Sequence, residues 1–335
     1  IRHDYNAGEF IWTGFDYLGE PTPWNGTSPG SATNDFGVAP KSSYFGIIDT
    51  TGFPKDSYYL YQSLWNNKIN TLHILPTWNE ADVQKDENGK VEVVVYSDAP
   101  VIKLYLNEQE IGVAKAQVHD SDTKQYQYQT YVAGTMKDGE NTFVNNTGHE
   151  SLYATFKVPY VAGNLTAKAF EADGKTEITE TTGRSSVETT GVAKKLAVFA
   201  DRQQITADGK DLSYITVDVE DENGRFVNGA EPEISVDIQG EGRIVGVDNG
   251  KQSDHTPYES TTRNAAKGKL LVIVQSTEKA GEFTLTAKAN GLEAGSVTVK
   301  TATDLQNTAD DLAVSSVEYS KNYYVKVGNA PQLPK

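Results

Sequence analysis

The residues from Gly8 to Trp24, GEFIWTGFDYLGEPTPW, hold the chain's densest group of side chains capable of chemistry. Trp12, Phe15, Tyr17 and Trp24 surround Asp16 and Glu20, while Gly14, Gly19, Pro21 and Pro23 set the backbone between them. A flat ring covers the C–H face of a sugar, and a carboxylate accepts hydrogen bonds from its hydroxyls, so this mixture suits carbohydrate. The same string also fits a core strand with a turn: Phe10, Ile11 and Trp12 are an apolar run, and the glycines and prolines after them break it.

The elements that must position these groups can be read onward. Asn25 to Pro40 is rich in Gly, Ser and Pro and is expected to be a long loop of the kind that lines a site. YFGIID (Tyr44 to Asp49) is a short apolar run and TTGFP a turn. From Lys55 to Asn66, spacings of three and four put Tyr58, Tyr61 and Trp65, with Leu60 and Leu64 beside them, on one helical stripe. Pro54 sits where a helix start tolerates it. One strand and one helix cannot bury their own faces, so residues 1–67 read as part of a larger domain.

The rest reads as β-structure. In residues 68–191, VEVVVYS (Val91 to Ser97) and VIKLYLN (Val101 to Asn107) flank a hairpin-length connection. QYQYQTYV (Gln125 to Val132), LYATFKV (Leu152 to Val158) and NLTAKAF (Asn164 to Phe170) alternate with period two. Short strands at this spacing suggest a β-sandwich of immunoglobulin type. Residues 192–302 repeat the theme: YITVDVEDENGR puts Ile215, Val217 and Val219 on one face and turns at Asn223-Gly224. EISVDIQ, KLLVIVQS, EFTLTAKA and SVTVKT follow as further strands. Residues 303–335 offer a polar linker and one strand, the expected start of a further β module cut short.

A formal charge of −16 argues against nucleic-acid binding and against anionic membrane surfaces, both of which need a basic face. With no cysteine, disulfides and thiolate metal sites are excluded, and the five histidines show no metal-ligand spacing. Two Asp-Glu-Asn-Gly strings, at Asp86 and Asp221, look like calcium loops but lack the further spaced acids, and hairpin turns explain them. No cofactor-binding fingerprint is visible.

IWTGFDYLGEPTPW, together with YFGIIDTTGFPKDSYYLYQSLW, TLHILPTWN and DRQQITADGKDLSYITVDVEDENG in that order, resembles glycoside hydrolase family 2, and more narrowly its large β-galactosidases from Gram-positive bacteria. The resemblance implies a mainly β chain: the last strand and helix of a (β/α)8 barrel, two immunoglobulin-like β-sandwiches, and a truncated further β module. It implies a retaining enzyme that hydrolyses terminal β-galactosides. Such an enzyme needs two carboxyl groups about 5–5.5 Å apart, and Asp16 with Glu20 is the tempting pair. The family's catalytic glutamates lie on earlier barrel strands, however, so this chain is expected to hold no catalytic residue and to be inactive alone.

Trp12, Asp16, Glu20, Trp24, Asn25 and Phe45 are then the candidate substrate-binding residues, Trp12 matching a tryptophan that lines the galactose pocket. The implied partners are a β-galactoside and an upstream barrel polypeptide, with no cofactor and no metal, in an extracellular or cell-surface setting. The alternative is a set of non-catalytic carbohydrate-binding or spacer modules of a surface protein.

Overall fold

The computed structural model describes residues 3–6, 8–19, 40–137, 140–142 and 151–303. The chain is mainly β and divides into two compact units, one built on residues 55–189 and one on residues 12–54 with 190–313. The 303–335 tail expected to start a further module lies, apart from Thr303, outside the described residues, as do Glu20, Trp24 and Asn25.

The first unit opens with helix α1 (Asp56–Trp65) and strands β1 (Asn70–Leu75), β2 (Lys90–Ser97), β3 (Val101–Leu106), β4 (Gln109–Asp120), β5 (Gln127–Lys137) and β6 (Glu140–Thr142). It continues with β7 (Ala154–Pro159), β8 (Asn164–Phe170), β9 (Glu177–Ile178), β10 (Thr181–Thr182) and β11 (Ser186–Glu188). One sheet has the order β10-β1-β2-β7, the other β11-β8-β3-β4-β5-β6, with β9 paired to β8. Alternation decides what goes inside: Leu72 and Ile74, Val91, Val93 and Val95, Ile102 and Leu104, and Leu165, Ala167 and Ala169 point inward and are buried. Trp78 fills this core with no exposed surface, its Nε1 donating to Val161 O at 2.8 Å. Across the sheets, the buried Tyr131 hydroxyl lies 2.8 Å from Ser97 O and 2.9 Å from Ala99 O. The Asp86 turn closes as expected, with Asp86 Oδ1 accepting the Asn88 and Lys90 amides and Gly89 at φ 73°.

The second unit contains β12 (Lys195–Ala200), β13 (Gln204–Thr206), β14 (Leu212–Glu220), β15 (Glu233–Gly240), β16 (Gly242–Asp248), β17 (Thr262–Asn264), β18 (Lys269–Ser276), β19 (Gly281–Ala289) and β20 (Gly295–Ala302). Its sheets have the orders β12-β14-β18-β16 and β13-β20-β19-β15-β17. Ile215, Val217 and Val219 do share the inward face, packed with Val272, Val274, Phe283, Leu285 and Val299. Each such side chain is worth about 1.5–3 kcal/mol of apolar burial. The Asp221 turn repeats the Asp86 device: Asp221 Oδ1 accepts the Asn223 and Arg225 amides.

Two expectations for the N-terminal segment need correction. Phe10 to Trp12 forms no strand; among the described residues, 13–19 and 40–48 make only isolated bridges, and Phe10 is fully exposed. A barrel strand draws its backbone hydrogen bonds from parallel neighbours, and the described residues supply none beside it. The helical stripe is also different. The face of α1 that meets the sheet carries Tyr59, Gln62 and buried Ser63, whereas Trp65 is 46% exposed.

Candidate functional site

In the second unit, two stretches run side by side and carry the candidate residues. Ile47 N and Ile48 N donate to Thr13 O and Gly14 O, Asp16 N to Ile48 O, Ser43 N to Tyr17 O, and Gly19 N to Lys41 O, at 2.8–3.2 Å. Asp16 is buried at their centre, with Oδ1 2.8 Å from the Gly46 amide and 3.4 Å from Ser43 Oγ. Gly46 is dictated by this packing: a Cβ there would lie 2.3 Å from Asp16 N. Asp16 therefore holds the loop.

Above this anchor lie three aromatic rings. Trp12 is 72% exposed, with its Nε1 3.3 Å from the Tyr17 hydroxyl. Tyr17 meets Phe45 edge-on at 5.9 Å between centroids. The structure thus brings Trp12, Asp16 and Phe45 together through Tyr17, a residue noted in the sequence as part of the aromatic group but not chosen as a candidate. Trp12 lies outside the core of this chain. Next to this cluster a pocket of about 370 Å³ is lined by Asp16, Tyr17, Leu18, Val245, Tyr258 and Ile273.

Behind the pocket is a buried ionic network with no counterpart in the sequence reading. The Arg263 side chain is wholly buried; its Nη1 lies 3.0 Å from Asp248 Oδ1 and 3.4 Å from Asp254 Oδ2. Nearby bonds hold the Asp254 carboxyl below the ordinary carboxylate range despite its burial: Thr256 side-chain and backbone donors, the Arg263 charge and the Asn249 amide. Asp248 also accepts Thr50 Oγ1 at 3.0 Å and faces Lys41 Nζ at 3.4 Å. Lys41 and Asp248 are 207 positions apart, so no local sequence pattern could join them.

The first unit has a second polar cluster, under α1. Thr71 and His73 lie on the outward face of β1, opposite Leu72 and Ile74, yet both are buried. His73 Nε2 is 2.7 Å from Asp56 Oδ1, its ring stacks on Tyr59 at 4.0 Å, and its Nδ1 accepts the Arg184 amide at 3.1 Å. Gln62 Oε1 accepts the hydroxyls of Thr71 and Thr182. Burial pushes the His73 pKa down, against the pull of the Asp56 carboxylate. This is a structural seam: its aspartate, histidine and arginine satisfy one another.

Among the described residues no cluster of three or more His, Asp or Glu is placed to hold a metal ion, and no helix is long and apolar enough to cross a membrane.

Two β units, the second carrying an aromatic and acidic loop, find their class in comparison with known proteins. Residues 196–298 match the family model described as glycoside hydrolase family 2 C-terminal domain 5, and residues 88–177 match a domain of unknown function, DUF4982. The chain belongs to glycoside hydrolase family 2.

It is similar to Beta-galactosidase BoGH2A of Bacteroides ovatus, 33% identical over 290 residues, which are 87% of this chain and 28% of the relative. A beta-galactosidase of Thermoanaerobacter pseudethanolicus is 25% identical over 296 residues, 88% of this chain and 33% of the relative. A solved beta-glycosidase from Bacteroides vulgatus superposes with a TM-score of 0.63 at 25% identity, over 86% of this chain and 30% of that one. The chain spans a third or less of each of these relatives.

Proposed function

We propose that the chain is the C-terminal portion of a retaining β-galactosidase that hydrolyses terminal β-galactosides, with the catalytic glutamates upstream of Ile1. On this reading residues 1–67 end the barrel, 68–191 and 192–302 are immunoglobulin-like accessory domains, and the protein works outside the cell or at its surface. Trp12, Asp16, Glu20, Trp24, Asn25 and Phe45 serve the sugar.

The observation that carries the reading is 33% identity to a beta-galactosidase over 87% of the chain, joined to the exposed Trp12 ring set beside Tyr17, Phe45 and the Asp16 anchor. An exposed indole held by a built loop offers a sugar an apolar platform that costs no core packing.

The test compares nitrophenyl β-galactoside with nitrophenyl β-glucuronide as substrates for the intact polypeptide, and assays this chain by itself. Turnover of the galactoside by the intact protein and none by the chain is expected. A preference for the glucuronide, or clear galactoside turnover by the chain alone, overturns the reading.

A further inference from the structure

We infer that the sandwich of the second unit is a working part of the substrate site, with Asp248 positioning the loop that carries Trp12, Asp16 and Phe45. This rests on the reading of those three residues as substrate-binding.

Asp248 ends β16 and is fixed from behind, since the buried Arg263 guanidinium is itself held by Asp254 and by the Thr256 and Pro257 carbonyls. From the front it receives two groups of the loop, Lys41 Nζ and Thr50 Oγ1, one at each end of the stretch 41–50. Further interactions close the same seam. Lys41 N donates to Gln252 O at 2.9 Å, and the Lys41 ammonium sits 4.6 Å from the Tyr258 ring centroid. Gly250, at φ 70°, lies so close that a Cβ would stand 2.7 Å from Asp49 Oδ2.

What is fixed at 41–50 is passed on. Lys41 O, Ser43 Oγ and the Gly46 amide are the groups that bind Gly19, Tyr17 and Asp16 respectively. The path from Asp248 to the aromatic cluster therefore runs through two sets of hydrogen bonds joined by the covalent chain of residues 41–50. Apart from Lys41 and Asp254, whose side chains are 13% and 12% exposed, and Asp248 at 11%, its anchor Arg263 is fully shielded, so water screens the network little. A module serving only as a spacer needs no buried arginine aimed through an aspartate at a loop of another segment.

The test removes the loop's side of the seam and leaves the Arg263–Asp248 pair intact. Lys41→Met combined with Thr50→Val deletes both side-chain bonds to Asp248 and strands no buried arginine. Without the ammonium and the hydroxyl, the loop should open roughly tenfold more often. Amide exchange at Asp16, Gly19 and Ile48 in this chain should quicken by about that factor, while amides of β14 and β18 keep their rates. Thr50→Ser, which keeps the hydroxyl, should restore half of the pair and slow the exchange again.

In the intact polypeptide the double variant should raise KM for nitrophenyl β-galactoside several-fold with kcat little changed. Unchanged exchange at all three amides overturns the positioning role. Faster exchange with unchanged KM overturns the link to substrate. The underlying reading of Trp12 as substrate-binding fails separately, if Trp12→Ala also leaves KM unchanged.

Discussion

Protonation of His73 should weaken the first unit, and its size can be worked from the seam. The Nδ1 of His73 accepts the Arg184 amide at 3.1 Å, so the ring proton sits on Nε2, facing Asp56 Oδ1 at 2.7 Å. A second proton would have to enter at Nδ1, against an N–H already pointing there. The groups facing the ring are Asp56 and Tyr59 from α1, Tyr96 from β2 and Arg184 before β11. Burial, the largest influence, lowers the folded pKa below the unfolded value of about 6.5.

The sign follows. Well above pH 6.5 both states are neutral at this site. Below it the unfolded chain takes a proton that the fold refuses, so stability is lost as pH falls. If the folded ring stays neutral throughout, the loss between pH 7.5 and 5.5 is about 1.4 kcal/mol, or tenfold in the equilibrium. The assay is amide exchange of β1, including the Ile74 amide bonded to Arg184 O, corrected for intrinsic rates and compared with His73→Gln. The native chain should lose up to tenfold more protection than the variant over that range. Equal losses would refute the argument, because the other histidines are present in both proteins.

Three further outcomes follow from the packing. Trp78→Ala removes a fully buried indole and its bond to Val161 O and should cost about 3–5 kcal/mol, read as a lower melting transition. Gly46→Ala forces a methyl to within 2.3 Å of Asp16 N and should cost about 1–3 kcal/mol locally, seen as faster exchange at Asp16 and Ile48. Arg263→Met strips Asp254 of its cation and leaves Asp248 only Lys41, and should destabilise the second unit by about 3–5 kcal/mol in urea unfolding.

The sandwiches were legible because alternation is a local property. Val91, Val93 and Val95, or Ile215, Val217 and Val219, announce their inward face within six residues, and the Asp86 and Asp221 turns carry their own hydrogen-bond acceptors. β4 was not legible: in QEIGVAKAQVHD the buried Gly112, Val113 and Ala114 run together beside a register shift at Leu104/Tyr105, which breaks the period. The strand expected at Phe10 failed for a different reason, since an apolar run becomes a strand only where a partner supplies hydrogen bonds.

The helix stripe misled because aromatic spacing marks an apolar face without saying what it faces. Here β1 offers Thr71 and His73 outward, and the polar face of α1 meets them. Trp12, Asp16 and Phe45, which we propose serve the sugar, could be named from residue type and resemblance. The Lys41–Asp248–Arg263 network could not, because its members share no segment and only folding brings them together.

The measurement that tests the central claim most directly is kcat/KM of the intact polypeptide for nitrophenyl β-galactoside, with and without Trp12→Ala, alongside the melting temperature. Trp12 is 72% exposed in this chain, so its removal leaves no cavity here and the melting temperature of this chain should hold. Loss of a stacked indole, worth about 1–3 kcal/mol of apolar cover, should lower kcat/KM by roughly ten- to a hundredfold, mainly through KM. Unchanged kcat/KM, or a sharp fall in melting temperature with catalysis intact, would contradict the account.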